Sequence, residues 1–536
     1  MVVRFRLIQP MEDDSTKFIS LFRFWSLRIL VCLVLVESIV FLDSINILGC
    51  FYALYGWSLI LIFVLKPEII QRHPLPSIIV IGYGLCSFYL PLPATLLEGK
   101  PITFNLDVPQ AVFFQGMIAI TATVAAFRLY ISLYNLNWNK PSRLRVFLTR
   151  LNLYTPPTDF QMWIMGVLGL FCIYKMSAGA HLEDDSGSLT SRFLQGFFPL
   201  AYCPYYILMK DIYSVGGRKV VKKVNWIFVI YSILILVVAF MTNHRSTFMK
   251  VIMGLGFVYF LGLLLNRFSY RVFTPKKILL YGLLFWLLTG PLMDIGLAMV
   301  TVRGQKHNIT ASELVNETID VFFDKELLAM EKKLWDGTIV NNIWWDEHYL
   351  DNIFLGRLCN LKASDLSLFH ADRIEDKSKM RSFIRDFSFG LLPSPLLNGL
   401  GIKIDKEVIN TASYGDFLYY YSTGDYYGLE SKRQAHLEGA GLGTFGYLYL
   451  VILVFLLIIL FSLMDLLVFY KENKTLITIP ALTIMPMLFT FFNYEGLSTF
   501  IGFTIRGWIQ LIFLYVIVFK VTIFITTIFN EKQQKY

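Results

Sequence analysis

The chain has 536 residues, of which 56% are hydrophobic and 16% charged, and its mean hydropathy is +0.57. This composition excludes an ordinary soluble globular protein, because soluble domains carry about 25% charged residues. The net charge of +9 is no indication of nucleic-acid binding, since membrane proteins concentrate Lys and Arg in their cytoplasmic loops. The sequence therefore predicts an integral membrane protein with the lipid bilayer, and no nucleic acid, among its partners.

Apolar runs of the length that crosses a hydrocarbon core of about 30 Å predict the membrane-spanning helices. We expect about twelve of them, and so an all-α polytopic membrane protein. In chain order the predicted spans cover residues 26–42, 45–65, 77–97, 109–132, 159–180, 192–213, 225–241, 247–266, 278–300, 443–470, 475–494 and 505–529.

The spans and one long polar segment divide the chain into three parts. Residues 1–300 form a membrane domain with spans one to nine, residues 301–442 a large loop, and residues 443–536 the last three spans. Basic residues crowd alternate loops, such as 140–150 and 218–223, whereas the short loops between them carry about one each. This bias predicts cytoplasmic termini and a large loop on the outer, periplasmic side.

The large loop is predicted to be mainly helical. Thr310 to Glu313 have the form of a capping box, and further helices are expected over 346–361 and 364–389. Its histidines lack the spacing of metal ligands, and Cys359 has no second cysteine in the loop. We therefore expect no metal site and no cofactor.

Basic residues near the outer ends of the predicted spans are the first set of site candidates. A convergent set of guanidinium groups suits phosphate or pyrophosphate, because the planar fork binds oxyanions through two hydrogen bonds. The alternative is that these side chains extend to the lipid interface or pair with nearby carboxylates. The candidates are Arg192, Arg245, Lys250, Arg303, Arg433 and Arg506.

His436 and Glu438 form the second set, close to the end of the large loop. Either side chain near a hydroxyl can act as a general base, and the neighbouring Arg433 can hold an anion. The alternative is that these charged groups only keep the end of the loop in water.

A tyrosine-rich stretch precedes this pair and includes Tyr420 and Tyr421. Aromatic rings just outside a bilayer can stack on the faces of sugars. They can equally belong to the belt of aromatic residues that lines membrane interfaces. The pattern leaves both interpretations open.

Three short segments, together with the number of spans and the late outer loop, carry a resemblance to a known family. Residues 243–246 place a small polar residue and Arg245 at the start of a span, and residues 381–385 lead into a Pro-rich turn. Residues 436–446 give a Gly-rich approach to the next span, with a Glu and aromatic-Gly pairs. In these features the chain resembles the Wzy-type O-antigen and capsular polysaccharide repeat-unit polymerases. An Arg-x10-Gly element of some members occurs only from Arg245 to Gly256, where the glycine lies inside a span.

The resemblance implies glycosyl transfer at the periplasmic face of the bacterial inner membrane. A growing glycan would leave undecaprenyl pyrophosphate and join the non-reducing end of another lipid-linked repeat unit, and a chain-length regulator is a further candidate partner. Arg245 and Arg303 would contact the pyrophosphate, assisted by other basic candidates. His436 or Glu438 would be the base, while Tyr420 and Tyr421 would hold sugars.

Two other functions fit parts of the same pattern. An O-antigen ligase shares the architecture and differs in its acceptor. A flippase or transporter of lipid-linked sugars would need charged residues along the middle of several spans. Such residues are scarce here, being Glu37 and, less clearly, Lys175 and Asp294, which favours an enzyme with an outer-face site.

Overall fold

A computed structural model of the chain shows a helical protein with one short β-hairpin. Nearly all regular structure in the described residues is helical, in agreement with the predicted class. The structure describes residues 14–137, 142–177, 193–215, 226–244, 246–269, 274, 279–280, 282–283, 286–287, 290–302, 310–333, 345–406, 412–429, 431–493 and 496–533.

The first half of the chain supplies most of the long apolar helices. Proline starts several of the shorter ones, since a first-turn residue needs no amide donor. These helices are α1 (Asp14–Val40), α2 (Ser44–Phe63), α3 (Pro67–Arg72), α4 (Pro74–Tyr83), α5 (Pro91–Leu97), α6 (Pro109–Asn137), α7 (Arg143–Arg150), α8 (Asp159–Ser177), α9 (Cys203–Tyr206), α10 (Trp226–Met241), α11 (Ser246–Leu264) and α12 (Pro291–Thr301).

The second half combines the polar segment with the last membrane helices. The two strands of its hairpin are β1 (Val468–Lys471) and β2 (Lys474–Ile477). The helices are α13 (Ala311–Phe323), α14 (Lys325–Lys333), α15 (Ile353–Leu358), α16 (Leu361–Asp372), α17 (Lys377–Gly390), α18 (Ser394–Gly399), α19 (Tyr414–Thr423), α20 (Leu437–Phe445), α21 (Leu448–Asp465), α22 (Ile479–Thr483), α23 (Met485–Phe489), α24 (Leu497–Gly502) and α25 (Trp508–Gln533).

Within the described residues, seven helical segments are long and apolar enough to cross a membrane. Many of their side chains remain exposed although they are apolar, as expected of surfaces that face lipid tails. The chain is therefore a membrane protein. The seven segments are Lys17–Val40, Ser44–Phe63, Pro74–Leu97, Pro109–Tyr134, Ser246–Leu264, Leu448–Asp465 and Leu497–Ile528.

The predicted span 443–470 is wrong in its boundaries. Gly446, with φ of 57°, separates α20 from α21, and α21 ends at Asp465. The antiparallel hairpin of β1 and β2 follows, pairing Val468 with Ile477. Its turn residues Glu472 and Asn473 have φ of 51° and 58°, the left-handed values that two-residue hairpin turns require.

The predicted span 475–494 is likewise not one continuous helix. It begins as β2 and continues through α22, α23 and a 3-10 turn at Phe491–Asn493. Pro480 and Pro486 each stand in the first turn of a short helix, where they lack the amide donor that would continue the preceding one. The structure therefore shows a break in the helix at each proline.

The helices of the polar segment differ from prediction mainly in their ends. The capping box at Thr310 is confirmed, because the Thr310 amide donates to the Glu313 carboxylate at 2.7 Å and the return bond is present. Of the helix predicted over 346–361, only α15 is present. In place of the single helix predicted over 364–389, the structure has two helices, α16 and α17. Asp376 starts α17 by accepting from the Ser378 amide at 2.9 Å.

The polar segment folds back against the membrane helices, and this positions the site. The Asn360 amide donates to the carbonyl of Cys86, which lies inside the span Pro74–Leu97, at 3.4 Å. From there α16 runs along α20, so closely that a Cβ at Gly439 would collide with Ser367. Parts of α16 and α20 thus lie beside membrane helices.

Candidate active site

Three of the predicted arginines, Arg192, Arg245 and Arg303, lie outside the described residues. The structure does describe the turn in front of Arg245. There Asn243 is buried and has φ of 49°, a left-handed value that Asn tolerates better than most residues. The turn follows the end of α10 at Met241.

Lys250 and Arg506 lie on membrane helices. Lys250 is exposed in the first turns of α11. Arg506 belongs to a π-helical turn, Phe503–Gly507, and its Nε donates to Gln510 Oε1 at 3.2 Å. A basic side chain on such a helix has to find a polar partner or reach the interface.

His436 and Glu438 are in direct contact and almost completely buried. His436 caps the start of α20, Glu438 lies in its first turn, and the two side chains are 1% and 2% exposed. The His436 Nδ1–H donates to the Glu438 carboxylate. The two residue types that the sequence analysis singled out for proton transfer therefore form one hydrogen-bonded pair.

Three groups stabilise the negative charge of Glu438. The Tyr83 hydroxyl donates to Oε1 at 2.7 Å, and the Ser364 hydroxyl donates to Oε2 at 3.3 Å, beside His436. Burial by itself raises the pKa of Glu438, but His436 and the Tyr83 hydrogen bond outweigh it and lower the pKa below its ordinary value. The carboxylate is therefore ionised at neutral pH.

The imidazole of His436 is fixed in one orientation. Its backbone amide donates to Ser367 Oγ at 2.7 Å, and its Nδ1 is held by Glu438. Because a carboxylate can only accept here, Nδ1 carries a hydrogen, and in the neutral imidazole the lone pair is on Nε2. Nε2 is buried without a hydrogen-bond partner among the described residues. In the neutral form of the ring, a hydroxyl placed beside Nε2 can donate its proton to it.

His436 and Glu438 pack against membrane helices, whereas the sequence analysis expected them at the end of the large loop. Tyr83 lies in the first half of the span Pro74–Leu97, and Tyr52, near the middle of α2, is close enough to be affected by the Glu438 charge. Tyr449, at the start of α21, is a third such neighbour, and its hydroxyl is buried without a partner in the described structure. A phenol inside an apolar run was the available signal for these residues, and the sequence analysis did not use it.

Arg433 holds the loop that leads to the pair. Its Nη1 lies 3.5 Å from the Asp416 carboxylate and donates to the Gly428 carbonyl, while its guanidinium stacks 3.9 Å from the centre of the Tyr419 ring. Asp416, fully buried, also accepts from the backbone amides of Lys432 and Arg433, both at 3.0 Å. A side chain held in this way supports the loop, and its contact with a substrate stays a prediction.

Tyr420 and Tyr421 belong to an aromatic surface on α19 and the turn after it. Their ring centres are 5.1 Å apart, and Tyr426 meets Tyr420 edge-on at 6.0 Å. Tyr426 and Tyr427 are 69% and 94% exposed, so this surface offers ring faces to a ligand. Such exposed, adjoining rings suit the apolar faces of sugars.

Comparison with known proteins adds nothing to this geometry. No protein family matches the chain. Nor does any curated protein or solved structure match it. The function has to be argued from the site itself.

The described residues offer a base with an orienting carboxylate at the start of α20 and, separately, an aromatic surface on α19. Among the described residues, no His, Cys, Asp and Glu side chains group in a way that could hold a metal ion. A base with a fixed Nε2 lone pair can remove a proton from an acceptor hydroxyl as that oxygen attacks an electrophile. This arrangement suits group transfer to a hydroxyl.

Proposed function

We propose that the protein polymerises lipid-linked oligosaccharide repeat units at the periplasmic face of a bacterial inner membrane. It would transfer the growing glycan from undecaprenyl pyrophosphate to the non-reducing end of a new lipid-linked unit, as a metal-independent glycosyltransferase. The proposal includes about twelve spans, cytoplasmic termini and a periplasmic large loop, which rest on apolar length and on the Lys/Arg bias.

The observation that carries the proposal is the buried pair of His436 and Glu438. Transfer to a sugar hydroxyl needs an oriented base, and the hydrogen bond from His436 to Glu438 orients the imidazole for that role. The pair also lies where the polar segment meets the membrane helices. A lipid-linked donor and its sugars would meet at such a boundary.

The proposed step breaks one bond and forms another at the anomeric carbon of the donor. The acceptor hydroxyl oxygen bonds to that carbon, and its proton moves to His436 Nε2. The bond to the pyrophosphate oxygen breaks, and the lipid pyrophosphate leaves with the electron pair. Glu438 stabilises the imidazolium that forms, as an ionised carboxylate beside a protonated ring.

Charge on the leaving pyrophosphate requires cations, and aromatic rings would hold the glycan. We assign the pyrophosphate to Arg245 and Arg303, with Arg192, Arg433 or Arg506 assisting, because guanidinium groups bind its oxygens through paired hydrogen bonds. Lys250 is a further cation for substrate binding. Tyr420 and Tyr421 would hold sugars by stacking.

The test is the banding pattern of the surface glycan after deletion of the gene and its restoration. The proposal expects the deletion to remove the long ladder while lipid A capped with single repeat units survives. The wild-type gene should restore the ladder, and Arg245→Ala, expressed at the same level, should not.

Two other patterns would contradict the polymerase. Loss of all surface repeat units, with lipid-linked units accumulating, would indicate a ligase or a flippase. A ladder unchanged by the deletion would exclude any role in this polymer.

A further inference from the structure

Helix α16 is buried between two other parts of the molecule. Nine of its twelve residues are buried, and these include the polar side chains of Lys362, Ser364, Asp365 and Ser367. Residues three apart lie side by side on a helix, so Ser364 and Ser367 share one face, and Lys362 and Asp365 share the nearly opposite face. Buried polar groups need hydrogen-bond partners, and α16 has them on both sides.

The serine face of α16 contacts the candidate active site. The Ser364 hydroxyl donates to the Glu438 carboxylate at 3.3 Å, and Ser367 Oγ accepts from the His436 amide at 2.7 Å. A Cβ added at Gly439 would lie 2.2 Å from the Ser367 carbonyl carbon, so the backbones of α16 and α20 approach closely here. A shift of α16 would therefore move a hydrogen-bond partner of His436 and one of Glu438.

The opposite face of α16 binds the residues that begin the membrane helix α6. The Asp365 carboxylate is fully buried and accepts from the backbone amides of Asp107 and Val108 at 2.9 and 2.7 Å. The carbonyl of Val108 in turn accepts from the Val112 amide in the first turn of α6. Asp365 thus fixes the start of α6 from a position 257 residues away from Val108 in the chain.

Lys362 completes this contact. Its Nζ donates to the Asn105 carbonyl at 2.6 Å and to the carboxylates of Asp107 and Asp365, both at 3.0 Å. The three donors of the ammonium group therefore all have acceptors. A buried ion pair adds little to stability, because the cost of removing both charges from water offsets their attraction. Its directional hydrogen bonds do specify one position of α16 against α6.

We propose that Lys362 and Asp365 are positioning residues for the candidate active site. They hold α16 where its two serines meet His436 and Glu438. Contacts run from the start of α6 through the ion pair to α16, and from the serines to α20. The consequence for glycosyl transfer rests on the proposed function, whereas the state of the His436 ring can be measured without any glycan.

The first test uses nitrogen NMR to determine the tautomer of His436. The full-length protein in lipid nanodiscs carries isotope-labelled histidine, and the His436 signals are those missing from His436→Gln. At a pH where the ring is neutral, the wild-type ring should carry its hydrogen on Nδ1 alone. The double variant Lys362→Met/Asp365→Asn removes both buried charges together, so neither is left unpaired. We expect both tautomers in it, because α16 no longer fixes the pair, and a single wild-type tautomer would overturn the proposal.

The second test separates kcat from KM in glycan transfer. Asp365→Asn keeps the size of the side chain and should lower kcat by about 10–10²-fold with little change in KM, since a displacement of about 1 Å can cost 10²-fold in rate. Lys100→Met is the matched control, because Lys100 pairs with Glu98 and Asp351 in the same part of the molecule.

Lys100→Met should keep both kinetic constants of the wild-type protein. Equal losses of kcat in Lys100→Met and Asp365→Asn, or a change in KM alone, would contradict the positioning role. The NMR measurement needs no transfer, so a failed polymerase and a failed positioning role give different results.

Discussion

The Glu438 carboxylate is buried from water, and three neighbouring side chains form hydrogen bonds with it. Burying a charge costs several kcal/mol unless hydrogen bonds replace its hydration, and His436, Tyr83 and Ser364 supply them. A buried carboxylate held in this way contributes little net stability of its own. The arrangement therefore makes most sense as a means of orienting His436.

Replacing Glu438 by Gln tests this role. The amide keeps the size but can donate to Nδ1, which would move the ring hydrogen to Nε2 and remove the base. We expect glycosyl transfer to fall by about 10²–10⁴-fold, the usual contribution of general base catalysis. Purified protein with lipid-linked repeat units gives the rate. Glu472→Gln, an exposed change in the hairpin turn, is the matched control, and an equal loss in both variants would contradict the role.

Tyr83→Phe should change how stability depends on pH. The lowered pKa of Glu438 means that its contribution to stability is present above the ordinary value of 4.5 and is lost as pH falls through the folded-state pKa. Without the Tyr83 hydroxyl that pKa rises, so we expect a loss of about 1.5–3 kcal/mol at pH 7 that shrinks in acid. The ring stacking on Phe492, at 4.1 Å, is retained. Thermal unfolding in detergent measures this, and a pH-independent loss would contradict it.

Close helix contacts at glycines determine how the membrane elements pack. In α4, a Cβ at Gly82 would collide with the Phe489 carbonyl oxygen, whereas at Gly256 in α11 there is open space. Gly82→Ala should therefore destabilise the protein by about 1–3 kcal/mol, since overpacking displaces backbone. Gly256→Ala should be neutral or stabilising by up to about 1 kcal/mol, because Ala favours helices. Both are measured as unfolding temperatures, and similar effects of the two changes would contradict the packing.

Sequence patterns predicted a helix correctly where one local pattern, such as a capping box or an apolar run, determines it. The capping box at Thr310 and the apolar runs of α2, α6 and α11 follow from side-chain pattern alone. The break at Gly446 and the hairpin turn at Glu472 and Asn473 depend on residues with positive φ. A glutamate in the sequence gives no indication of a positive φ. Hydropathy therefore extended the predicted span 443–470 across both.

At the scale of the whole molecule, the return of the polar segment into the membrane domain could not be read from the sequence. His436 and Glu438 were recognised as chemical groups, but their partner Tyr83 is 355 residues away. Nothing in either local pattern specifies that contact, which depends on how α16 and α20 pack on the membrane helices. The residues of the site were thus partly predictable from the sequence. Their packing against the membrane helices was not.

The predicted orientation can be checked with single cysteines. Tyr427, 94% exposed on the aromatic surface, should be periplasmic, and Glu472 in the hairpin turn cytoplasmic. A membrane-impermeant thiol reagent should label Tyr427→Cys in intact spheroplasts and Glu472→Cys only after permeabilisation. The opposite pattern would reverse the topology and remove the periplasmic reaction from the account.

The most direct test of the central claim is polymerisation by purified protein in nanodiscs supplied with undecaprenyl-pyrophosphate-linked repeat units. The wild-type protein should produce a ladder of lengthened glycans. His436→Ala, purified as a folded protein, should lose at least about 10²-fold of that rate, since it lacks the base. A His436→Ala protein that extends glycans at the wild-type rate would contradict the account.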